Sequence, residues 1–349
     1  MTRRTTTLTT AALSLVALLC VALLLPVPYV SLRPGPTLDT LGEEDGEPVI
    51  SIEGGARTYD DAGQLDLVTV SVTNPDVDVR LPEALGAWFD PSAALVPKEL
   101  IYPTEKTTEE SNAETQQEMA GSQLSARVAG LAAVGYPVVV RVEAVDPDGP
   151  ADGTLRADDV VVAVDGVPVK TTEELIDAVS DREPGDSVQL RVRRGEQTRS
   201  VTVGTTASDE EPDVPRIGIQ VVQDVEADVE VVNNVPQKIG GPSAGLVFAL
   251  AIYDKLTPGP LTGGANVAGT GSITADGLVG PIGGIQQKVV GAADDGASVF
   301  LVPADNCAEV SDSGAAPEDL LLVRVNELTD AISSLEALAE NPRAEVPTC

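Results

Sequence analysis

Ile239-Gly240-Gly241-Pro242-Ser243-Ala244-Gly245-Leu246 runs without a break into Val247-Phe248-Ala249-Leu250-Ala251-Ile252. A glycine turn opens an apolar helix, and a serine sits at the junction between small neighbours. Little blocks its hydroxyl. A helix start leaves backbone N–H groups unpaired and carries a positive dipole end, so charge developing on an oxygen could be stabilised there. Taken alone, the segment also reads as a simple N-cap serine.

A second glycine turn follows downstream. Gly280-Pro281-Ile282-Gly283-Gly284-Ile285-Gln286-Gln287-Lys288-Val289-Val290-Gly291-Ala292-Ala293 places Lys288 in a small, apolar helical stretch. Burial there would cost the ammonium its hydration and lower its pKa toward neutrality. Such an amine can take the proton of a serine hydroxyl. The alternative is a surface lysine whose head reaches solvent. Between the two turns, Ala268-Gly269-Thr270-Gly271-Ser272-Ile273-Thr274-Ala275-Asp276-Gly277-Leu278-Val279 reads as strand, Asp-Gly hairpin, strand. Thr270 could orient the lysine, or simply be a sheet threonine.

Composition narrows the chemistry. The chain of 349 residues has no histidine, which removes Ser-His-Asp triads, Cys-His dyads and His-ligated zinc. Only six lysines compete for the role of base. The net charge of −33 opposes binding to phosphate backbones, so no nucleic-acid partner is expected. No metal site and no cofactor is expected either. Asp146-Pro147-Asp148-Gly149 starts like a calcium loop, but Pro150 and Ala157 stand where ligands are needed, so it reads as a turn. With 42% apolar residues and 3% aromatics, the cores must be built from Val, Leu, Ile and Ala.

At the N-terminus, Arg3 and Arg4 precede an uncharged run of 18 residues from Leu8 to Leu25. Its length suits a membrane span, and the arginines argue for a cytoplasmic N-terminus. Pro26-Val27-Pro28-Tyr29 offers no convincing cleavage site. The expectation is an uncleaved signal anchor in a single-pass cell-membrane protein with extracytoplasmic soluble domains; a cleaved signal peptide is the alternative. An oxidising location makes a bridge between Cys307 and Cys349 the expectation, with free thiols as the alternative. Cys20 lies in the apolar run.

Between anchor and glycine turns, Arg33–Thr40 reads as a Pro/Gly stalk, Leu65–Val72 alternates like a strand, and Leu81–Thr108 reads as irregular around Trp88. Asn112–Val134 is helical. Then follow a β-branched strand at Tyr136–Val145, a strand at Val160–Val164 with an Asp165-Gly166 turn, and a short helix at Thr172–Ser180 capped by Thr171 or Thr172. Strands at Ser187–Arg193 and Thr198–Val203 complete this stretch.

That stretch of about 70 residues resembles a bacterial PDZ domain. In that family an extended peptide adds to the strand after a glycine-containing loop, which implies Gly135, Tyr136, Val138 and Val140 as peptide contacts. Gly-Pro-Ser-Ala-Gly at 241–245, Thr-Gly-Ser-Ile-Thr at 270–274 and Pro-Ile-Gly-Gly-Ile-Gln-Gln-Lys at 281–288 together resemble the proteolytic domain of Lon proteases, the serine-lysine peptidase family. The resemblance implies Ser243 as nucleophile, Lys288 as base, Thr270 as its partner, and Gly241, Pro242 and Ala244 as supporting turn residues. Lys238 does not fall on the family's catalytic position. ATP-dependent members usually carry an acidic residue where Gly240 stands and charged residues where Gln286 and Gln287 stand. No Walker-type motif appears in the sequence. Anchor, PDZ module and Lon-type domain together resemble the YlbL-like group of PDZ-containing Lon-like proteases, of actinobacterial type.

The expected fold is α+β: a Lon-type proteolytic domain with a PDZ module inserted in it, behind an N-terminal transmembrane helix. The expected layout is anchor 1–30, stalk 31–45, N-terminal part of the Lon-like domain 46–134, PDZ 135–205, linker 206–215, catalytic domain 216–340 and tail 341–349. The expected function is ATP-independent, membrane-anchored serine endopeptidase activity on extracytoplasmic or membrane protein or peptide substrates, with PDZ-assisted binding. A PDZ scaffold or chaperone on a silent Lon-like fold is the alternative. A homo-oligomer is implied by resemblance only.

Overall fold

The computed structural model describes residues 3–59, 62–103, 106–208 and 211–349. Helix α1 (Arg3–Leu24) has no buried residue in its Arg4–Leu24 stretch, which is long and apolar enough to cross a membrane. The chain then enters β1 (Tyr29–Asp39), β2 (Ile50–Gly54) and β3 (Gln64–Val72). The expected stalk is thus strand β1. Its prolines are tolerated because the register with β3 shifts between Pro34 and Thr37, where a bulge relieves the ladder of its missing donors. The stretch expected to be irregular holds α2 (Leu81–Phe89), β4 (Ala94–Pro97) and α3 (Lys98–Ile101); residues 104 and 105 lie outside the described part. Helix α4 (Thr108–Val134) starts on a Thr107/Glu110 capping box and ends on Gly135 in the left-handed region.

A second unit follows: β5 (Val138–Val145), β6 (Val160–Val164), α5 (Thr172–Ser180), β7 (Ser187–Arg194), β8 (Gln197–Gly204) and β9 (Ile219–Val225). Helix α5 is capped by Thr171, which accepts from the Glu174 N–H. The strands form an antiparallel sheet in the order β8-β7-β6-β5-β9. Its last strand, β9, lies beyond the expected boundary at residue 205. The supposed linker makes a short ladder, Thr206–Ala207 against Pro215–Arg216; its residues 209 and 210 lie outside the described part.

The chain then returns through β10 (Val229–Asn233), α6 (Gly245–Leu256), β11 (Asn266–Gly269), α7 (Ile285–Asp294), β12 (Val299–Pro303), α8 (Cys307–Ser313), β13 (Leu321–Val325) and α9 (Leu328–Glu340). Strand β10 pairs with β2. The main sheet has the order β13-β12-β11-β3-β1-β4, so strands from both ends of the chain share it. From β13 to β3 it is parallel; β1 and β4 complete it antiparallel.

Period-2 alternation gives this sheet two apolar faces. Leu65, Leu67, Val267, Val299 and Leu301 pack with α4, α6 and α9. Val68, Ala268, Phe300 and Val302 pack with Ile285, Val289 and Ala292 of α7 and Val310 of α8. The second unit has its own core around Val142, Leu175, Val188 and Leu190. A disulfide joins Cys307 to Cys349. It holds a C-terminal segment whose Thr348 bridges to Val323 and whose Pro347 carbonyl accepts from Arg324.

Candidate active site

Two helices on opposite faces of the main sheet deliver the key side chains. Pro242–Ala244 forms a single 3₁₀ turn that leads into α6 on one face. On the other face, α7 begins after Gly284, which takes φ +69°, a value that favours glycine. Ser243 and Lys288 meet at the carboxyl end of β11, where Thr270 leaves the sheet. The carboxyl ends of parallel strands are where open α/β sheets usually form sites.

Lys288 Nζ lies 2.8 Å from Ser243 Oγ and 3.0 Å from Thr270 Oγ1. Lys288 is 3% exposed, and burial pushes its amine down to about 7. The described residues place no carboxylate in an ion pair with it. The Thr270 hydroxyl donates to the Ser243 carbonyl at 3.0 Å, and Gly271 N–H donates to the same carbonyl at 2.8 Å. With its proton so committed, Thr270 Oγ1 is left to accept from Lys288. A neutral amine that donates there keeps its lone pair for the serine.

Helix α4 steadies the turn before the serine. Gln116 Nε2 donates to the Gln237 carbonyl at 2.9 Å, Gly241 N–H to the Thr115 carbonyl at 3.0 Å, and Ser122 Oγ to the Pro242 carbonyl at 2.9 Å. The approach is close: a Cβ on Gly240 would stand 2.5 Å from Thr115 Cγ2. A side chain at 240 would need Thr115 to shift. The sequence reading placed this helix in the Lon-like domain but gave Thr115, Gln116 and Ser122 no site role, because no local pattern shows which residues of a helix 120 residues upstream touch this turn. Gly241, Pro242 and Ala244 form the turn itself.

A cavity of about 550 Å³ opens over Ser243. Its wall includes Leu67–Val72 of β3, Met119 of α4, Lys238 and Gly283. Strand β3 pairs with β11 only as far as Leu67. Beyond that its Val68–Val72 backbone has β1 on one side and the cavity on the other.

The expected peptide contacts of the second unit do not form a groove. Gly135 is the α4 C-cap, and Tyr136 N–H bonds back to the Leu131 carbonyl, a helix-ending pattern rather than a ligand loop. Val138 and Val140 lie on β5, which is paired by β6 on one side and β9 on the other; Val140 is fully buried. No strand can be added there. Of the sheet's two terminal strands, β8 and β9, it is β9 that lies beside α5. Among the described residues, no cluster of three or more Cys, Asp or Glu is placed to hold a metal.

Comparison with known proteins places two families on this chain. The family described as "Lon protease (S16) C-terminal proteolytic domain" matches residues 216–337, and the family described as "PDZ domain" matches residues 109–205. Lon protease 1 of Sorangium cellulosum is 40% identical over 113 residues, which are 30% of this chain and 14% of that protein. Lon protease of Xanthomonas oryzae pv. oryzae is 33% identical over 120 residues, 34% of this chain and again 14% of the relative. A solved PDZ domain of an SdrC-like protein from Listeria monocytogenes is 31% identical, covering 24% of this chain and 86% of that one, with a TM-score of 0.23. The chain therefore carries a PDZ domain and a Lon-type proteolytic domain in a mixed α and β fold. The PDZ match begins inside α4, yet Met119, Ala126, Val128 and Leu131 of that helix are buried in the main core with α6.

Proposed function

We propose that this protein is a membrane-anchored, ATP-independent serine endopeptidase acting on extracytoplasmic or membrane protein substrates. The observation that carries the reading is the 2.8 Å approach of a buried, neutral-leaning Lys288 to Ser243 Oγ at the floor of an open cavity.

The chemistry follows from the contacts. Lys288 Nζ takes the Ser243 proton as Oγ attacks a peptide carbonyl, forming a tetrahedral oxyanion. The amides at the start of the 3₁₀ turn and α6 are the donors at hand for that charge. The lysinium returns its proton to the leaving amine, which departs and leaves an acyl-enzyme on Ser243. Water, deprotonated by the same amine, then releases the acid and restores the serine. An extended substrate laid along Val68–Val72 would satisfy the open edge of β3 and set its carbonyl beside Ser243.

The PDZ domain would hold a second extended segment of the substrate, at the edge of β9 facing α5 rather than at β5. Tethering of this kind raises the local concentration of the cleavable stretch. No Walker-type motif is present to unfold substrates, so loose or already unfolded chains suit the site.

The test is turnover of casein and fluorogenic peptides by the full chain in phosphatidylcholine vesicles, with Ser243→Ala and Lys288→Ala alongside. Turnover that both substitutions abolish is expected. Turnover indifferent to both would sink the mechanism, and peptide binding without turnover in the wild type would favour a scaffold.

A further inference from the structure

Helix α2 is packed inside out. Ala84 and Ala87 are its buried residues, whereas Leu85, Trp88 and Phe89 are 47%, 75% and 80% exposed. Positions 85, 88 and 89 fall at i, i+3 and i+4, so the three large side chains share one face. Helices at a protein surface normally do the reverse, burying the large apolar residues and exposing the small ones. Trp88 is the chain's single tryptophan and Phe89 one of three phenylalanines.

The neighbourhood extends the pattern. In α3, Leu100 is 74% exposed, and Tyr29 and Ile101 are exposed too. Among the described residues outside α1, eight large apolar side chains stand well exposed between Tyr29 and Ile101, against six in all the rest of the chain. A patch of this kind marks an interaction surface rather than scatter.

What covers it is indicated by where it is tied. Val27 N–H donates to the Val79 carbonyl at 2.9 Å, and Lys98 N–H to the Pro28 carbonyl at 3.0 Å. Residues 27 and 28 stand three and four positions after the end of α1 at Leu24, so α2 and α3 both start close to the exit of the apolar helix. Helix α2 also packs on α1 itself. Trp88 lies seven positions after Leu81 along α2, a rise of about 10 Å. The patch therefore lies close to the level at which a spanning α1 leaves the hydrocarbon. Tryptophan is enriched in that interfacial layer, where an apolar ring body and a polar N–H are both accommodated.

We propose that Leu85, Trp88, Phe89 and Leu100 form a bilayer-docking face, seated in the lipid interface beside α1. This rests on the anchor reading of α1. With a net charge of −33 the attraction is apolar rather than electrostatic, so zwitterionic lipid suffices. Docking has a consequence for the site. Tyr29–Leu32 pairs with β4 at the patch, while Leu32–Pro34 of the same β1 pairs with Val70–Val72 of β3, which lines the Ser243 cavity. Seating α2 and α3 would thus hold the cavity at a set height over the membrane, within reach of segments emerging from it.

The chain carries its own two reporters, Trp88 on the patch and Cys20, the free cysteine, inside α1. The full chain is reconstituted in phosphatidylcholine vesicles. Cys20 is challenged with a water-soluble maleimide, and Trp88 emission is read with iodide and with phosphatidylcholine brominated on the upper acyl carbons. The expected result is a protected Cys20 and a Trp88 that bromolipid quenches and iodide does not. Leu85→Ser with Phe89→Ser should open Trp88 to iodide while Cys20 stays protected and peptide turnover is unchanged. A protected Cys20 with an iodide-accessible Trp88 would overturn the docking face alone. Trp88 shielded from both quenchers would overturn it in favour of a second copy of the chain. A reactive Cys20 would remove the anchor reading and this proposal with it.

Discussion

Lys288 Nζ reaches Ser243 Oγ at 2.8 Å although the two residues descend from helices on opposite faces of the main sheet. The meeting point exists because β11 stops at Gly269 and leaves a gap at its carboxyl end. Position and burial together make the pair chemically active on the reading proposed above, and several measurements follow from that.

The first concerns pH. Burial brings Lys288 down to about 7, so the amine is a base only above that value. Peptide turnover should rise as pH increases through about 7 and then level off. Lys288→Arg keeps a charge but no base, and should lower kcat by roughly 10²–10⁴-fold. A wild-type profile that is flat from acid to alkaline pH would count against lysine as the base.

The same shift has a stability counterpart. The unfolded lysine holds its proton up to about 10.4 while the folded one releases it near 7. Between those values the unfolded state binds more protons, so this group's contribution to stability rises with pH across that window. Below pH 7 the buried ammonium is at its most costly. Lys288→Met should therefore raise Tm most at pH 6 and least at pH 10, while abolishing turnover, as read by calorimetry across pH.

Thr270→Val removes both the acceptor for Lys288 and the donor to the Ser243 carbonyl. An unmet polar group of this kind costs about 1–3 kcal/mol, or roughly 10- to 100-fold in rate. The loss should appear in kcat with KM little changed, and Thr270→Ser should restore most of it. Equal rates for the valine and serine variants would show that the hydroxyl does not position the amine.

Asp66 offers an independent pH test in the sheet. It is buried, its Oδ2 meets no hydrogen-bond partner among the described residues, and burial with the nearby charges of Asp39 and Asp295 raises it to about 7. Its folded pKa is above the unfolded one, so its contribution is fully present below pH 4 and is lost as pH rises through 7. Asp66→Asn should stabilise the fold at pH 8 by roughly 1–3 kcal/mol and have little benefit at pH 4. Denaturant titrations at the two pH values decide it.

The Cys307–Cys349 bridge closes a loop spanning a sequence separation of 42. Replacing Cys349 by Ser should cost about 3–4 kcal/mol on the chain-entropy account. Thiol titration of the unfolded, unreduced chain should find one reactive sulfur, that of Cys20.

Local chemistry in the sequence made Ser243, Thr270 and Lys288 candidates, each beside a glycine turn or strand end, but left an N-cap serine, a sheet threonine and a surface lysine open; the resemblance to the Lon proteolytic domain chose among them. The absence of histidine and the apolar run before Pro26 were equally legible. Other features depended on pairing between distant residues. Prolines 34 and 36 suggested a stalk, yet a register shift admits β1 to the sheet. Gly135 suited a ligand loop as well as a helix cap, and only the bonds to Leu131 and Ala132 distinguish the two. Strand β9, over 70 residues after β5, takes the edge that β5 would have offered. Local backbone preferences and residue chemistry act over a few positions, so the sequence by itself determined the candidate groups and their turns. Which strand keeps a free edge, which helix clamps the Ser243 turn, and how a lysine crosses to a serine on the opposite face depend on long-range packing, and only the tertiary structure decided them.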